Sequence, residues 1–232
     1  MADKPPVALE TRGEGGDGRR YSPSIARNRT PILNILKPRL PQPGRVLEIA
    51  SGTGEHGAYF TAEMEGIDWT YSDIDSESLV SQRAWRAVDE SGRLHGPMVI
   101  DASTDHWGEA EVPEGWDAIF SANMIHIAPF AAAAGLIAGA GRLLRPSGQL
   151  IIYGPFARHG DMAPSNAAFS ESLAARNPSW GVRDLYSQLT PLAHQAGLTL
   201  EDIIEMPANN LTVFLRKKVE KPEEDEEDGA AR

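Results

Sequence analysis

The chain has 232 residues, 41% hydrophobic and 24% charged, the balance of a globular domain large enough to bury a core. It contains no cysteine, which excludes a disulfide framework, a thiolate metal site, an iron–sulfur cluster and a catalytic thiol. The formal net charge of −11 disfavours a nucleic-acid substrate held by electrostatics, and no apolar run reaches membrane-spanning length. The opening MADKPPVALE has no apolar core like that of a signal peptide, so a cytoplasmic protein with no membrane or nucleic-acid partner is expected.

Residues 1–19, glycine-rich and charged around 11–18, show no apolar period and are expected to form a flexible N-terminal arm. At the other end, residues 219–232 carry seven acids against Lys221 and Arg232. Like charges repel there, and a disordered acidic tail is expected. Between them, 20–218 reads as one domain, with no internal repeat and no long linker.

An amphipathic helix is expected from about Ser24, and residues 45–50 read as a buried strand. A glycine turn follows, then a helix over 55–64 with Phe60 and Met64 four apart. Strand 68–73, helix 76–89, strand 98–101 and strand 116–121 come next. An alanine-rich helix over 130–144 ends in the RPSG stop-and-turn signal at 145–148, before a fifth strand at 149–153. The last expected helix is 182–196, and strands 198–204 and 210–216 are joined too closely for a parallel crossover, so they should pair antiparallel. The expected fold is α/β: a Rossmann-like, doubly wound, seven-stranded, mostly parallel sheet with an antiparallel C-terminal strand pair.

EIASGTG (48–54) joins the first strand to its helix, where open α/β sheets bind ligands. Gly52 and Gly54 let the backbone bend and approach a ligand closely. The loop lacks the lysine followed by serine or threonine of a P-loop. It carries acids instead, Glu48 within its strand and Asp73 ending the next. Carboxylates accept from ribose hydroxyls or attract a cationic sulfonium or ammonium group, so an adenosyl ligand without phosphates fits. Asp101 ends the third expected strand, and WDAIFSAN (116–123) carries the fourth into its loop. A structural reading of Asp73 and Asp101 as turn or helix caps stays open.

This order of features resembles the class I S-adenosylmethionine-dependent methyltransferases. Six segments in order, RYSPSIARNR (20–29), EIASGTGEH (48–56), NMIHI (123–127), YGPF (153–156), PSWGVRD (178–184) and PANN (207–210), resemble the motifs of the family that includes methyltransferase-like protein 26. The resemblance covers about 20–216. It implies S-adenosyl-L-methionine as cofactor, with S-adenosyl-L-homocysteine as product, and names no settled substrate. By analogy, Glu48, Ala50, Gly52 and Gly54 would hold the methionine portion, Asp73 the ribose, and Asp101 with Ala102 the adenine edge. Ser121, Tyr21 and Asn28 would complete the cofactor site, the last two as a lid or else as part of an ordinary helix.

Methyl transfer from a sulfonium is an in-line displacement, and a hydroxyl or protonated amine acceptor must also lose a proton. Asn123, His126 and Tyr153 are the candidate catalytic residues. Asn123 can orient an acceptor, and a histidine suits a base, although both could merely fill or cap a loop. Phe156, Asn166, Trp180, Arg183, Asn209 and Asn210 are candidate substrate-binding residues. Core packing is the bland alternative for Trp180 and for Phe169, and a salt bridge to Asp184 is the alternative for Arg183. The histidines at 56, 95, 106, 126, 159 and 194 show no metal-binding spacing, so no metal is expected. The leading expectation is methyl transfer to an O, N or S atom of a small molecule. A cofactor-binding module without catalysis, a protein methyltransferase drawing basic peptides and, more distantly, a nicotinamide-dependent oxidoreductase remain alternatives.

Overall fold

A computed structural model of the chain describes residues 12–219. Residues 1–11 of the expected arm and 220–232 of the expected acidic tail lie outside the described residues. The remainder of the arm departs from expectation, because β1 (Gly13–Glu14) pairs antiparallel with β2 (Arg20–Tyr21) in a small hairpin. Arg19 lies over the Trp85 ring at 4.7 Å and Tyr21 meets the same ring edge-on at 5.4 Å. Those aromatic contacts hold a stretch that has no apolar period of its own.

α1 (Pro23–Leu36), β3 (Gly44–Glu48), α2 (Glu55–Glu63), β4 (Ile67–Asp73), α3 (Ser76–Ala87), β5 (Leu94–Val99), β6 (Trp116–Ala122), α4 (Phe130–Leu143) and β7 (Leu144–Gly154) follow in alternation. Then come β8 (Phe156–Ala157), α5 (Pro164–Arg176), β9 (Arg183–Asp184), α6 (Thr190–Gln195), β10 (Leu198–Met206) and β11 (Asn210–Lys217). The seven-stranded sheet has the order β10-β11-β7-β6-β3-β4-β5. β3 to β7 pair parallel, and β11 runs antiparallel to both β7 and β10. This is the expected doubly wound architecture. The chain leaves β3 toward β4 and β5 on one side and later fills β6 and β7 on the other, so the crevice at the carboxyl ends of β3 and β6 is the switch point of the sheet.

Successive side chains of the central strands point to opposite faces of a sheet covered on both, so β6 and the second half of β7 are buried almost throughout. Val46, Phe120, Ile151 and Phe214 join Ile32, Leu36 and Phe60 of α1 and α2 on one face. Leu47, Ile119, Ile152 and Val213 join Leu136, Ile137 and Ala140 of α4 on the other.

Three expected elements are corrected. The third strand begins earlier and ends at Val99, so Asp101 stands in the following loop. The RPSG segment lies inside the span of β7, where the register with β6 shifts between Trp116 and Ala118, so its turn chemistry makes a bulge rather than a break. The helix expected over 182–196 opens instead with β9 and a π-turn at Leu185–Leu189, because Asp184 caps the backbone of Tyr186 and Ser187. Helix α5 has no counterpart among the sequence-derived elements. Its weak amphipathic pattern buries only Asn166 and Leu173. Among the described residues, no helix is long and apolar enough to cross a membrane.

Candidate active site at the carboxyl edge of the sheet

The loop between β3 and α2 is held by its own backbone. Gly52 N donates to Asp73 Oδ2 at 2.8 Å. The three successive carbonyls of Gly52, Thr53 and Gly54 accept from Gln82 Nε2 (3.0 Å), Ser81 Oγ (2.7 Å) and Tyr71 Oη (2.6 Å). Gly52 and Gly54 adopt φ of 58° and 87°, and Ala50 adopts a left-handed φ of 59° although it has a Cβ. α3 and β4 therefore fix the loop before any ligand arrives, and the clamp uses Ser81 and Gln82, polar residues on the otherwise buried side of α3.

Gly57 explains how closely α2 can approach. A Cβ there would stand 2.4 Å from Tyr71 Cε1 and 2.6 Å from Trp69 Cδ1. Gly52, Gly54 and Gly57 also complete a G-x-G-x-x-G spacing. Glycine spacing alone therefore does not separate this loop from a dinucleotide fingerprint. The sheet does, since β11 inserted antiparallel beside β7 departs from the parallel six-stranded dinucleotide order.

Asp73 is anchored at the crevice by backbone donors: Oδ1 accepts from the N–H groups of Ile74 (2.8 Å) and Asp75 (3.0 Å). Burial pushes its carboxyl up, and the backbone donors of Asp75, Gly52 and Ile74 oppose that shift. Three donors leave one of the roughly four lone-pair sites of a carboxylate, on Oδ2, for a ligand hydroxyl. Beside it, Ile74 is 62% exposed, an apolar side chain left open at the strand end.

The remaining residues expected at the site are held by contacts within the protein. Glu48 is only 1% exposed and accepts from Trp69 Nε1 at 2.8 Å beneath the loop. Asp101 Oδ1 accepts from Ser103 N (2.8 Å) and Ser103 Oγ (2.6 Å), the turn-capping role left open above, and Ala102 beside it is buried. Ser121 Oγ donates to Ile49 O at 3.0 Å and ties β6 to the end of β3. Tyr21 stands 38% exposed against Trp85. Arg183 donates to the carbonyls of Ile125 (3.0 Å), Ala128 (2.7 Å) and Ser179 (2.8 Å) and so braces the loop after β6. Phe156 lies in the apolar core, and Trp180, half-buried, donates its backbone N–H to Asn177 O.

The other half of the edge gathers Asn123, His126, Tyr153, Asn209 and Asn210. Asn123, at a left-handed φ of 58°, donates its N–H to Tyr153 O at 2.8 Å. His126 is 2% exposed, its ring edge-on to Phe169 at 5.5 Å, and its buried Nδ1 has no hydrogen-bond partner. A Cβ on Gly154 would come within 3.4 Å of that nitrogen. Desolvation, assisted by the Arg183 charge, lowers His126 to about 4, so the imidazole is neutral at physiological pH. Ala208 and Asn209 form a strained turn, both left-handed, held by Asn166 Nδ2 on Asn209 O (2.9 Å) and Asn209 Nδ2 on Ser165 Oγ (3.0 Å). Non-glycine residues in this conformation cost about 1–3 kcal/mol each, and they recur at sites where function holds them.

The residue that sequence reasoning passed over is His56, quoted within a motif but given no role. It is buried, its Nε2 lies 2.9 Å from Asn28 Oδ1, and its Nδ1 faces Glu48 Oε1 at 3.8 Å. Burial raises the Tyr153 phenol above its ordinary value, and the nearby Asn28 and Asn210 amides oppose that shift. Among the described residues, no group of three or more acidic or histidine side chains is arranged to hold a metal ion.

The fold is that of S-adenosylmethionine-dependent methyltransferases. The methyltransferase SibL superposes with a TM-score of 0.67 at 16% identity, covering 84% of this chain and 56% of SibL. Human N-acetylserotonin methyltransferase in complex with SAM gives 0.67 at 15% identity, with 84% and 53% covered. An O-methyltransferase family protein from Burkholderia thailandensis gives 0.65 at 16% identity, with 84% and 57% covered. The chain spans just over half the length of these proteins. By sequence, the chain belongs to the family described as protein of unknown function DUF938, which it matches over residues 19–217.

Proposed function

We propose that this protein is an S-adenosyl-L-methionine-dependent methyltransferase that transfers a methyl group to an O, N or S atom of a small molecule. The observation that carries the reading is the loop at 52–54, with every carbonyl caught and Asp73 on its first N–H, at the switch point of a methyltransferase-type sheet. The family likeness to methyltransferase-like protein 26 and the small-molecule enzymes among the structural neighbours point the same way.

In this reading the sulfonium of the bound cofactor supplies the methyl group. The loop around Gly52 and Gly54 accommodates the methionine portion through close backbone approach, and the free lone pair of Asp73 Oδ2 accepts a ribose hydroxyl. Ile74 offers apolar surface to the flat base. Asn123 and Tyr153 orient the acceptor at the edge of β6 and β7. His126, neutral and with an unpartnered nitrogen, accepts the acceptor's proton where one must leave, as a weak base suited to an acidic hydroxyl.

Incubation with S-adenosylmethionine carrying a labelled methyl group and panels of small phenols, thiols and amines tests this, with basic peptides as a parallel panel. Label on a small molecule supports the reading. Label on peptides alone favours a protein methyltransferase. Adenosyl binding without any transfer favours a non-catalytic module, a reading to which the near-complete burial of His126 lends weight.

A further inference from the structure

The hairpin of β1 and β2 lies against the glycine loop and shares its supports. Arg20 N–H donates to Ser81 Oγ at 2.9 Å, and the same hydroxyl donates to Thr53 O at 2.7 Å. Trp85, which carries Arg19 and Tyr21, also closes on the loop, since a Cβ on Gly54 would stand 3.2 Å from its Cδ1. Just past the hairpin, Ser22 N–H and Thr53 Oγ1 donate to one oxygen, Glu55 Oε2. Hairpin and loop are thus a single packed unit, and what the hairpin carries is held at a fixed place beside residues 52–54.

Three arginines lie along this stretch, and their partners differ. Arg19 pairs with Asp17 at 2.7 Å, and Arg20 pairs with Glu77. Arg12, half-buried at the head of the hairpin, meets no acid among the described residues; its Nη1 donates to Ser78 Oγ at 3.3 Å. The other terminal nitrogen, Nη2, faces Gly52. It stands 3.8 Å from where a Cβ on that glycine would be, and among the described residues no other atom beyond the glycine and its chain neighbours comes within 4 Å of that point. At its left-handed φ of 58°, Gly52 therefore turns a bare side to open space bordered by a guanidinium. Guanidinium N–H groups are arranged to meet a carboxylate in pairs, so a half-buried arginine bonded only to a hydroxyl is suited to an anionic ligand.

We propose that Arg12 takes the carboxylate of the cofactor's methionine portion, and so selects adenosyl compounds that carry an amino-acid end. The proposal rests on the methyltransferase reading, in which the loop around Gly52 accommodates that portion and Asp73 the ribose. The carboxylate is the only anion such a ligand has, because neither the adenosine nor the sulfur carries negative charge. Set against Asp73 alone it would be repelled, and a guanidinium beside the same glycine offsets that charge. Arg12 stands outside residues 19–217, the segment that matches the family, so the contact belongs to this chain's own N-terminal stretch rather than to the shared motifs.

Calorimetric titration of the full chain with S-adenosylhomocysteine and with S-adenosyl-3-thiopropylamine, the same molecule without its carboxylate, tests this. Arg12→Gln keeps N–H donors but removes the charge. It should weaken S-adenosylhomocysteine by about tenfold, the low end for a charge-assisted hydrogen bond because the site is half-exposed. Affinity for the amine should stay within about twofold. Arg12→Glu should widen the contrast, weakening S-adenosylhomocysteine by about 30-fold or more while strengthening the amine, whose ammonium no longer meets a like charge. Equal losses for the two ligands in Arg12→Gln would mean that Arg12 only holds the hairpin in place, and no loss for either would mean that it touches neither. Each of these overturns the proposal and leaves the methyltransferase reading standing. A wild type that binds no S-adenosylhomocysteine overturns both.

Discussion

The two halves of the carboxyl edge are built by contrasting means. Around 52–54 the working groups are backbone N–H and C=O, and side chains from α3 and β4 serve to hold them still. Around β6, β7 and β11 the working groups are side-chain amides and rings from α1, α2, β7 and β11, and the backbone beneath them is strained at Asn123, Ala208 and Asn209. A backbone site fits one ligand shape wherever it occurs. A side-chain site can be rebuilt for a different acceptor by changing a few residues without disturbing the loop.

The sharpest way to break the loop half is Gly57→Ala. The added Cβ meets two rings of β4 at well under contact distance, and overpacking of this kind should cost about 3 kcal/mol or more in urea unfolding. A destabilisation below about 1 kcal/mol would show that α2 can retreat and that its close approach is not what sets the loop.

Glu48→Gln separates core from ligand contact. A carboxyl raised to about 8 in the folded state, against an ordinary 4.5 unfolded, contributes stability that is full below pH 4.5 and is lost as pH rises toward 8. Glutamine keeps the neutral shape and has no such loss, so the variant should gain about 3–4 kcal/mol on the wild type between pH 5 and pH 8. His56 and His126 work in the opposite sense, their lowered values costing stability as pH falls below 6.5, and they cancel in the comparison. A pH-independent difference between the two proteins would return Glu48 to the ligand-facing role expected from its motif.

Asp73→Ala should weaken adenosyl binding by about 10- to 30-fold, the worth of one charged hydrogen bond plus the loosened Gly52 N–H, whereas His126→Ala should leave it within about threefold. Equal losses in the two variants, by calorimetry, would erase the division of the edge into cofactor and acceptor halves. The smallest expected effect is Ala50→Gly. Relief of a left-handed alanine is worth up to about 1 kcal/mol of thermal stability after the added chain entropy is counted.

The same contrast decides what could be read from the sequence. The loop, Asp73 and the alternation of strands and helices are local patterns, so strand ends and glycine spacing announce them. The antiparallel pairing of β10 with β11 was legible because the connection is too short for anything else. Glu48, Ser121 and Arg183 carry the right chemistry at the right points of the chain, but which way each points depends on Trp69, Ile49 and the carbonyls of Ile125 and Ala128, all supplied from elsewhere. His56 was overlooked for the same reason, since nothing near it in the chain reveals Asn28. The hairpin over Trp85 escaped because its stability comes from aromatic contacts across more than sixty residues, not from any periodicity of its own.

The most direct measurement is calorimetric titration of the purified protein with S-adenosylmethionine, S-adenosylhomocysteine and NAD in turn. Binding of the two adenosyl compounds in the micromolar range with no signal from NAD is expected from the clamped loop and the sheet order. Binding of NAD with no response to either adenosyl compound would contradict it, and would give the G-x-G-x-x-G spacing of Gly52, Gly54 and Gly57 its dinucleotide meaning after all.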